Sequence, residues 1–337
     1  MPKDESFINH LLSQMTLEEK IGQLNLESPG PAFDPEMIRQ GKVGALLNAS
    51  GALTGQVTGQ QGSVETVNYF QRLAQESRLK IPLLVGRDVI HGYRTIFPIP
   101  LAQAAAFDPA MSQAAAAVAA REATAEGIKW TFAPMLDIAR DPRWGRIAEG
   151  NGEDPLLSSR LAEALVRGFQ GEDMARPDKL VACAKHYVGY GAAEGGRDYE
   201  SGEIAEPTLR DIYLPPFESA VRAGVGTVMS AFIDLNGIPA TANRRLLTDV
   251  LRGEWGFEGF VVSDWESIEE LVYHGVAEDR AHAAALALHA GVDMDMVSRA
   301  YLDTLAESVR QGRVPVAAID EAVRRILRIK QRAGLLE

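Results

Sequence analysis

The chain has 337 residues, 46% hydrophobic and 24% charged, enough apolar material for a large folded core. Its 46 acidic and 34 basic residues leave a formal charge of −12 without a basic stripe, which argues against a nucleic-acid partner. No apolar run reaches the ~18 residues that read as a membrane span, and the single cysteine, Cys183, excludes an internal disulfide.

The opening MPKDESFINHLL has no basic start followed by an apolar stretch. As written the sequence reads as cytoplasmic, or as periplasmic if a leader has been removed. Thr16-Leu17-Glu18-Glu19 is a capping box that opens a short helix. Seven short apolar segments follow: 43–48 (VGALLN), 83–88 (LLVGRD), 130–137 (WTFAPMLD), 182–187 (ACAKHY), 227–232 (TVMSAF), 260–265 (FVVSDW) and 291–296 (GVDMDM). Their length and their β-branched and aromatic content fit buried strands. Cys183 falls inside one of them, as a small buried side chain.

Helical patterns alternate with these strands over 64–77, 109–126, 155–168, 208–223, 245–252, 280–290, 302–310 and 316–333. Asp108-Pro109 places a capping acid before a first-turn proline. Val316, Ile319, Val323, Ile326 and Ile329 form an apolar stripe on the last helix. Alternation with continuous apolar strands predicts a parallel sheet covered by helices. With one strand still to be found, the expected fold is a (β/α)8 TIM-like barrel, a single domain over residues 1–337. A doubly wound open sheet is the alternative, but no G-x-G-x-x-G follows a strand.

Polar residues collect at the C-terminal ends of the strands: Asn48, Asp88, Asp137, Lys185 with His186, Ser230, Asp264, and Asp293 with Asp295. In a barrel these ends ring the mouth where chemistry is placed. Asn48, Asp137, Asp293 and Asp295 each read more naturally as caps or ion-pair members. Arginines in the loops beyond, with Lys185, His186 and the acids, make a pocket suited to a hydroxyl-rich ligand. Trp265 adds a flat apolar face of the kind that sugar C–H groups pack against. No metal-type Cys/His spacing occurs, and no cofactor is implied.

The stretches GRDVIHGYRTIFPIP, FAPMLDIARDPRWGRIAEGNGEDP, ACAKHYVGYGAAEGGRDYE, PATANRRLLTDVLRGEWGFEGFVVSDW and GVDMDM resemble the family 3 glycoside hydrolases. The likeness is to the N-terminal barrel of the bacterial periplasmic β-glucosidase type, in the family's order and over nearly the whole chain. It implies that Asp264 is the nucleophile of a retaining mechanism, with Trp265 beside it. It further implies that Asp88, Arg94, Arg146, Lys185, His186 and Arg197 hold the sugar of a β-glucoside or short β-glucan oligosaccharide. A retaining mechanism needs a carboxylate nucleophile and, as a rule, an acid about 5–5.5 Å away.

In multidomain members of the family a second α/β domain supplies that acid, and the sequence stops where such a domain would start. Single-domain β-N-acetylhexosaminidases carry a histidine in the loop after KH, whereas the loop here, KHYVGYGAAEGGRDYE, has none beyond His186. The expectation is therefore a hydrolase barrel impaired when alone, with the missing domain or self-association as partner. Glu194, Asp198 and Glu200 are the loop candidates for a local acid. The other readings are a catalytically silent sugar-binding barrel, an N-acetylhexosaminidase-like enzyme, and an aldolase using Lys185 as a Schiff-base lysine. His91 is expected to bond a backbone carbonyl, and Trp144 and Tyr190 to pack. Phe232-Ile233 stands where the family commonly has an aromatic followed by Asn.

Overall fold

The computed structural model describes residues 5–49 and 64–336. Eight parallel strands close into a barrel: β1 (Asn25–Glu27), β2 (Ala45–Leu47), β3 (Leu84–Arg87), β4 (Trp130–Thr131), β5 (Cys183–Tyr187), β6 (Thr227–Ser230), β9 (Phe260–Val262) and β10 (Asp295–Met296). Beyond β6, β7 (Asp234–Leu235) and β8 (Ile238–Pro239) make a small antiparallel hairpin. Two ladders, β10-β1-β2-β3-β4 and β5-β6-β9, form the arcs of the ring. Single bridges of Trp130 with Val181, Met135 with Lys185, and Val262 with Met294 seal the arcs together. The barrel expected from the alternating pattern is thus present.

The strand absent from the sequence reading is β1, whose NLE is two-thirds polar yet wholly buried. Its polar side chains are satisfied rather than solvated. Arg299 clasps Glu27 through Nε at 2.7 Å and Nη2 at 3.0 Å, and Asn25 donates to Glu27 and to the Lys42 carbonyl. All seven expected strands are shorter than their apolar runs, and two depart furthest. The run from 130 leaves the ladder after Thr131 and then touches β5 through isolated bonds, such as Lys185 N–H to Pro134 O at 3.0 Å. The run from 291 is a strand only at Asp295–Met296.

Local signals behave as the sequence indicates. Thr16 and Glu19 exchange both bonds of the capping box, and Asp108 accepts from the N–H groups of Ala110 and Met111. Along Val316–Arg332 the stripe Ile319, Val323, Ile326 and Ile329 is buried, while Val316, in the first turn, is 40% exposed. Cys183 is buried. The same last helix drives Lys330 under the barrel. Its Nζ donates to Gln23 Oε1 and Pro82 O, both at 2.8 Å, just ahead of β1 and β3. Burial alone pushes the Lys330 ammonium down to about 7.

Asp293 does not belong to the barrel mouth. Its carboxylate binds Arg252 at 2.6 Å and Arg325 at 2.9 Å on two outer helices, and accepts from Val261 N–H. Asp295 bonds Ser298 Oγ and Tyr301 N–H at the start of the helix Ala300–Arg310. Both acids are structural, as expected.

Candidate active site

Phe260–Val262 is a fully buried apolar strand, and the polar Ser263-Asp264 follows where it ends. Ser263 ties that end to β10: its Oγ accepts from Met296 N–H at 2.8 Å. Asp264 is held by the turn that comes next, with the Trp265 N–H donating to Oδ1 at 2.7 Å. Its Oδ2 is buried and has no hydrogen-bond partner among the described residues. Burial pushes the Asp264 carboxyl above its ordinary value, against the pull of the Trp265 N–H, Lys185 and Arg146. The neighbouring cations therefore offset the burial only in part.

β5 supplies Lys185 and His186, both buried. Lys185 Nζ donates to Asp88 Oδ1 at 2.7 Å, which joins β5 to the residue that follows β3. His186 Nε2 lies 3.5 Å from Asp264 Oδ2. The other face of His186 is occupied by Asp137, whose Oδ2 accepts the backbone N–H at 2.9 Å and contacts Nδ1 at 2.8 Å. Burial pushes His186 down to about 3, Arg146 and Lys185 adding to the effect, and pushes Asp137 up to about 7.

Arg146 comes from the turn Gly145–Glu149 and is fixed by Glu149 at 2.7 and 3.0 Å. Its guanidinium carbon sits 5.5 Å from the centre of the Tyr190 ring. Tyr190 in turn packs edge-on against His186 and Trp144, both at 5.2 Å. Phe232 extends this wall to Tyr199, with ring centres 4.6 Å apart. Trp144 and Tyr190 do pack, as expected, but what they pack against is the histidine and arginine of the site. His91 Nδ1 meets the Phe97 carbonyl at 2.9 Å, the backbone role assigned to it.

Of the sequence-derived set, Asp88, Lys185, His186, Arg146 and Asp264 converge, and Trp265 stands next to them with 44% of its surface exposed. Arg94 does not join them. Its guanidinium bonds Glu126 and its backbone N–H donates to Glu122, which draws the loop outward onto the helix Pro109–Thr124. Arg197 is exposed and pairs with Glu200 at 3.1 Å. The three loop acids are equally remote from the role considered for them: Glu200 is in that pair, Asp198 accepts from Trp144 Nε1, and Glu194 is exposed.

Two acids near the site escaped the sequence reading, and a third, Asp137, reads there as a cap or ion-pair member. Asp137 looked structural, yet it holds His186. Glu149 is legible only as the residue one turn beyond Arg146. Glu270, which starts the short helix after the turns that follow Asp264, is half-buried, and burial together with Asp264 and Glu266 pushes it up to about 7.

The profile of the Glycosyl hydrolase family 3 N terminal domain matches residues 16–329. The chain belongs to glycoside hydrolase family 3. A periplasmic β-glucosidase of Salmonella typhimurium is 42% identical over 98% of this chain, a stretch that makes up 42% of that protein. A lysosomal β-glucosidase of Dictyostelium discoideum is 37% identical over 99% of the chain and 44% of its own length. The crystal structure of a Listeria innocua β-glucosidase in complex with isofagomine superposes with a TM-score of 0.91 at 40% identity, covering 98% of this chain and 46% of that one. The chain thus spans less than half the length of these family 3 relatives.

Proposed function

We propose that this chain forms the sugar-binding, nucleophile-bearing barrel of a retaining β-glucosidase-type glycoside hydrolase. The observation that carries the reading is the state of Asp264. One carboxylate oxygen is anchored by a backbone N–H, and the other is buried beside His186 with no hydrogen bond from the described residues. A carboxylate fixed on one oxygen and open on the other is suited to attack an anomeric carbon and form a glycosyl-enzyme. Lys185 with Asp88, His186 and Arg146 offer donors and acceptors to adjacent hydroxyls, and Trp265 a face for the ring. Structures of the Listeria innocua β-glucosidase are in complex with glucose and, for a mutant, with laminaribiose, which supports a β-glucoside or short β-glucan as the ligand.

The test uses a 2-fluoro glucoside with a dinitrophenyl leaving group, which departs without a proton and so reports on Asp264 whatever serves as acid. Intact-mass spectrometry at neutral and mildly alkaline pH is expected to show one added sugar, mapping to Asp264 and absent from Asp264→Asn. A folded wild type that takes no label would sink the glycosidase reading and leave a silent sugar-binding barrel.

A further inference from the structure

Asp137 and His186 make a unit that the proposed chemistry does not yet use. Both are buried, at 2% and 1% exposure. One oxygen of Asp137, Oδ2, takes two contacts from the same residue: the His186 backbone N–H at 2.9 Å and ring Nδ1 at 2.8 Å. An oxygen already accepting a backbone N–H is oriented as an acceptor, so the ring nitrogen facing it is the one that carries hydrogen. The neutral imidazole then has its lone pair on Nε2, which faces Asp264 Oδ2. The 3.5 Å separation agrees with this, being longer than the ~2.7–3.2 Å of an N–H···O bond.

We propose that Asp137 is a positioning residue that fixes His186 as the Nδ1–H tautomer. This keeps Asp264 Oδ2 free of a protein proton and presents Nε2 as an acceptor for a sugar hydroxyl. The role rests on the reading of Asp264 as nucleophile. In the other tautomer Nε2–H would donate to Oδ2 and blunt its attack. The surrounding charges keep the ring neutral. Arg146 and Lys185 oppose an imidazolium, Asp264 and Glu149 favour one, and burial decides against it. Asp137 itself is faced by Arg146, Lys185 and Glu149. Its second oxygen, Oδ1, has no hydrogen-bond partner among the described residues, so none of them diverts the carboxylate from His186.

The tautomer is read directly from long-range proton–nitrogen spectra of the full chain labelled with ¹⁵N-histidine, with His186 assigned by the peak lost in His186→Gln. At pH 8 the expected spectrum has Nδ1 as the protonated and Nε2 as the unprotonated nitrogen. A protonated Nε2 would overturn the proposal. Asp137→Asn keeps the shape and one acceptor but removes the charge. It is expected to give a mixed tautomer and to slow labelling by the fluorinated glucoside at least tenfold, in the rate at saturation rather than the half-saturating concentration. Circular dichroism checks that the variant is folded. A folded variant with altered tautomer and unaltered labelling would refute the positioning role. A wild type with the expected tautomer that takes no label would instead overturn the nucleophile reading beneath it.

Discussion

Lys330 gives the sharpest physical prediction, because its ammonium lies under the barrel with two neutral oxygens as its bonded partners and burial as the one cause acting on it. Its folded value of about 7 lies far below the 10.5 of a free lysine. Between those values the unfolded chain holds one more proton at this site than the folded chain does. Stability therefore rises with pH across that window, by about 1.4 kcal/mol per pH unit. The cost of burying the charge is fully present below 7 and is relieved as pH climbs toward 10.5. Urea unfolding of the wild type and of Lys330→Met isolates the site, since other groups titrate alike in both. From pH 7.5 to 9.5 the wild type is expected to gain about 2–3 kcal/mol relative to the variant. Coincident fluorescence and circular dichroism transitions would confirm two-state behaviour. A difference that stays flat over those two pH units would refute the argument, and would mean that the floor of the barrel holds a charged, hydrated ammonium.

Two further outcomes follow from the mouth of the barrel. Lys185→Met removes a charged donor that holds Asp88, and is expected to slow labelling by the fluorinated glucoside roughly 10- to 150-fold, the ~1.5–3 kcal/mol of a hydrogen bond to a charged group; a change below threefold would remove Lys185 from the sugar site. Arg94→Ala is expected to leave labelling within twofold and to cost under ~1 kcal/mol in urea unfolding, since its ion pair with Glu126 is a surface one. A large loss of labelling would put Arg94 back in the site.

The barrel was legible because seven of its strands carry continuous apolar runs between helical patterns, and the site because polar residues interrupt those runs at one end. β1 was not legible for the same reason: its polar residues are paired by partners distant in sequence, which periodicity cannot register. The role of Asp137 escaped in a subtler way. An acid at a strand end is usually a cap, and only its distance to His186 separates a cap from a positioning group. Arg94 failed in the opposite direction, because proximity in sequence to Asp88 does not say which way a loop turns after the strand. Glu270 carried no periodic signal, because turns rather than a helix separate it from Asp264.

The clasp between Glu27 and Arg299 bears on how the molecule comes into being. The two residues are 272 positions apart, and β1 finds its second neighbour only in β10. At ~5–20 residues per second of synthesis, roughly 15–50 s separate the emergence of the two halves of this seam. During that interval β1 carries an open backbone edge and a buried-type carboxylate without its cation, the kind of edge that pairs with other chains. Ring closure is therefore a late event that waits on the last strand, and conditions that stall synthesis before residue 295 should yield aggregation rather than a partly working barrel.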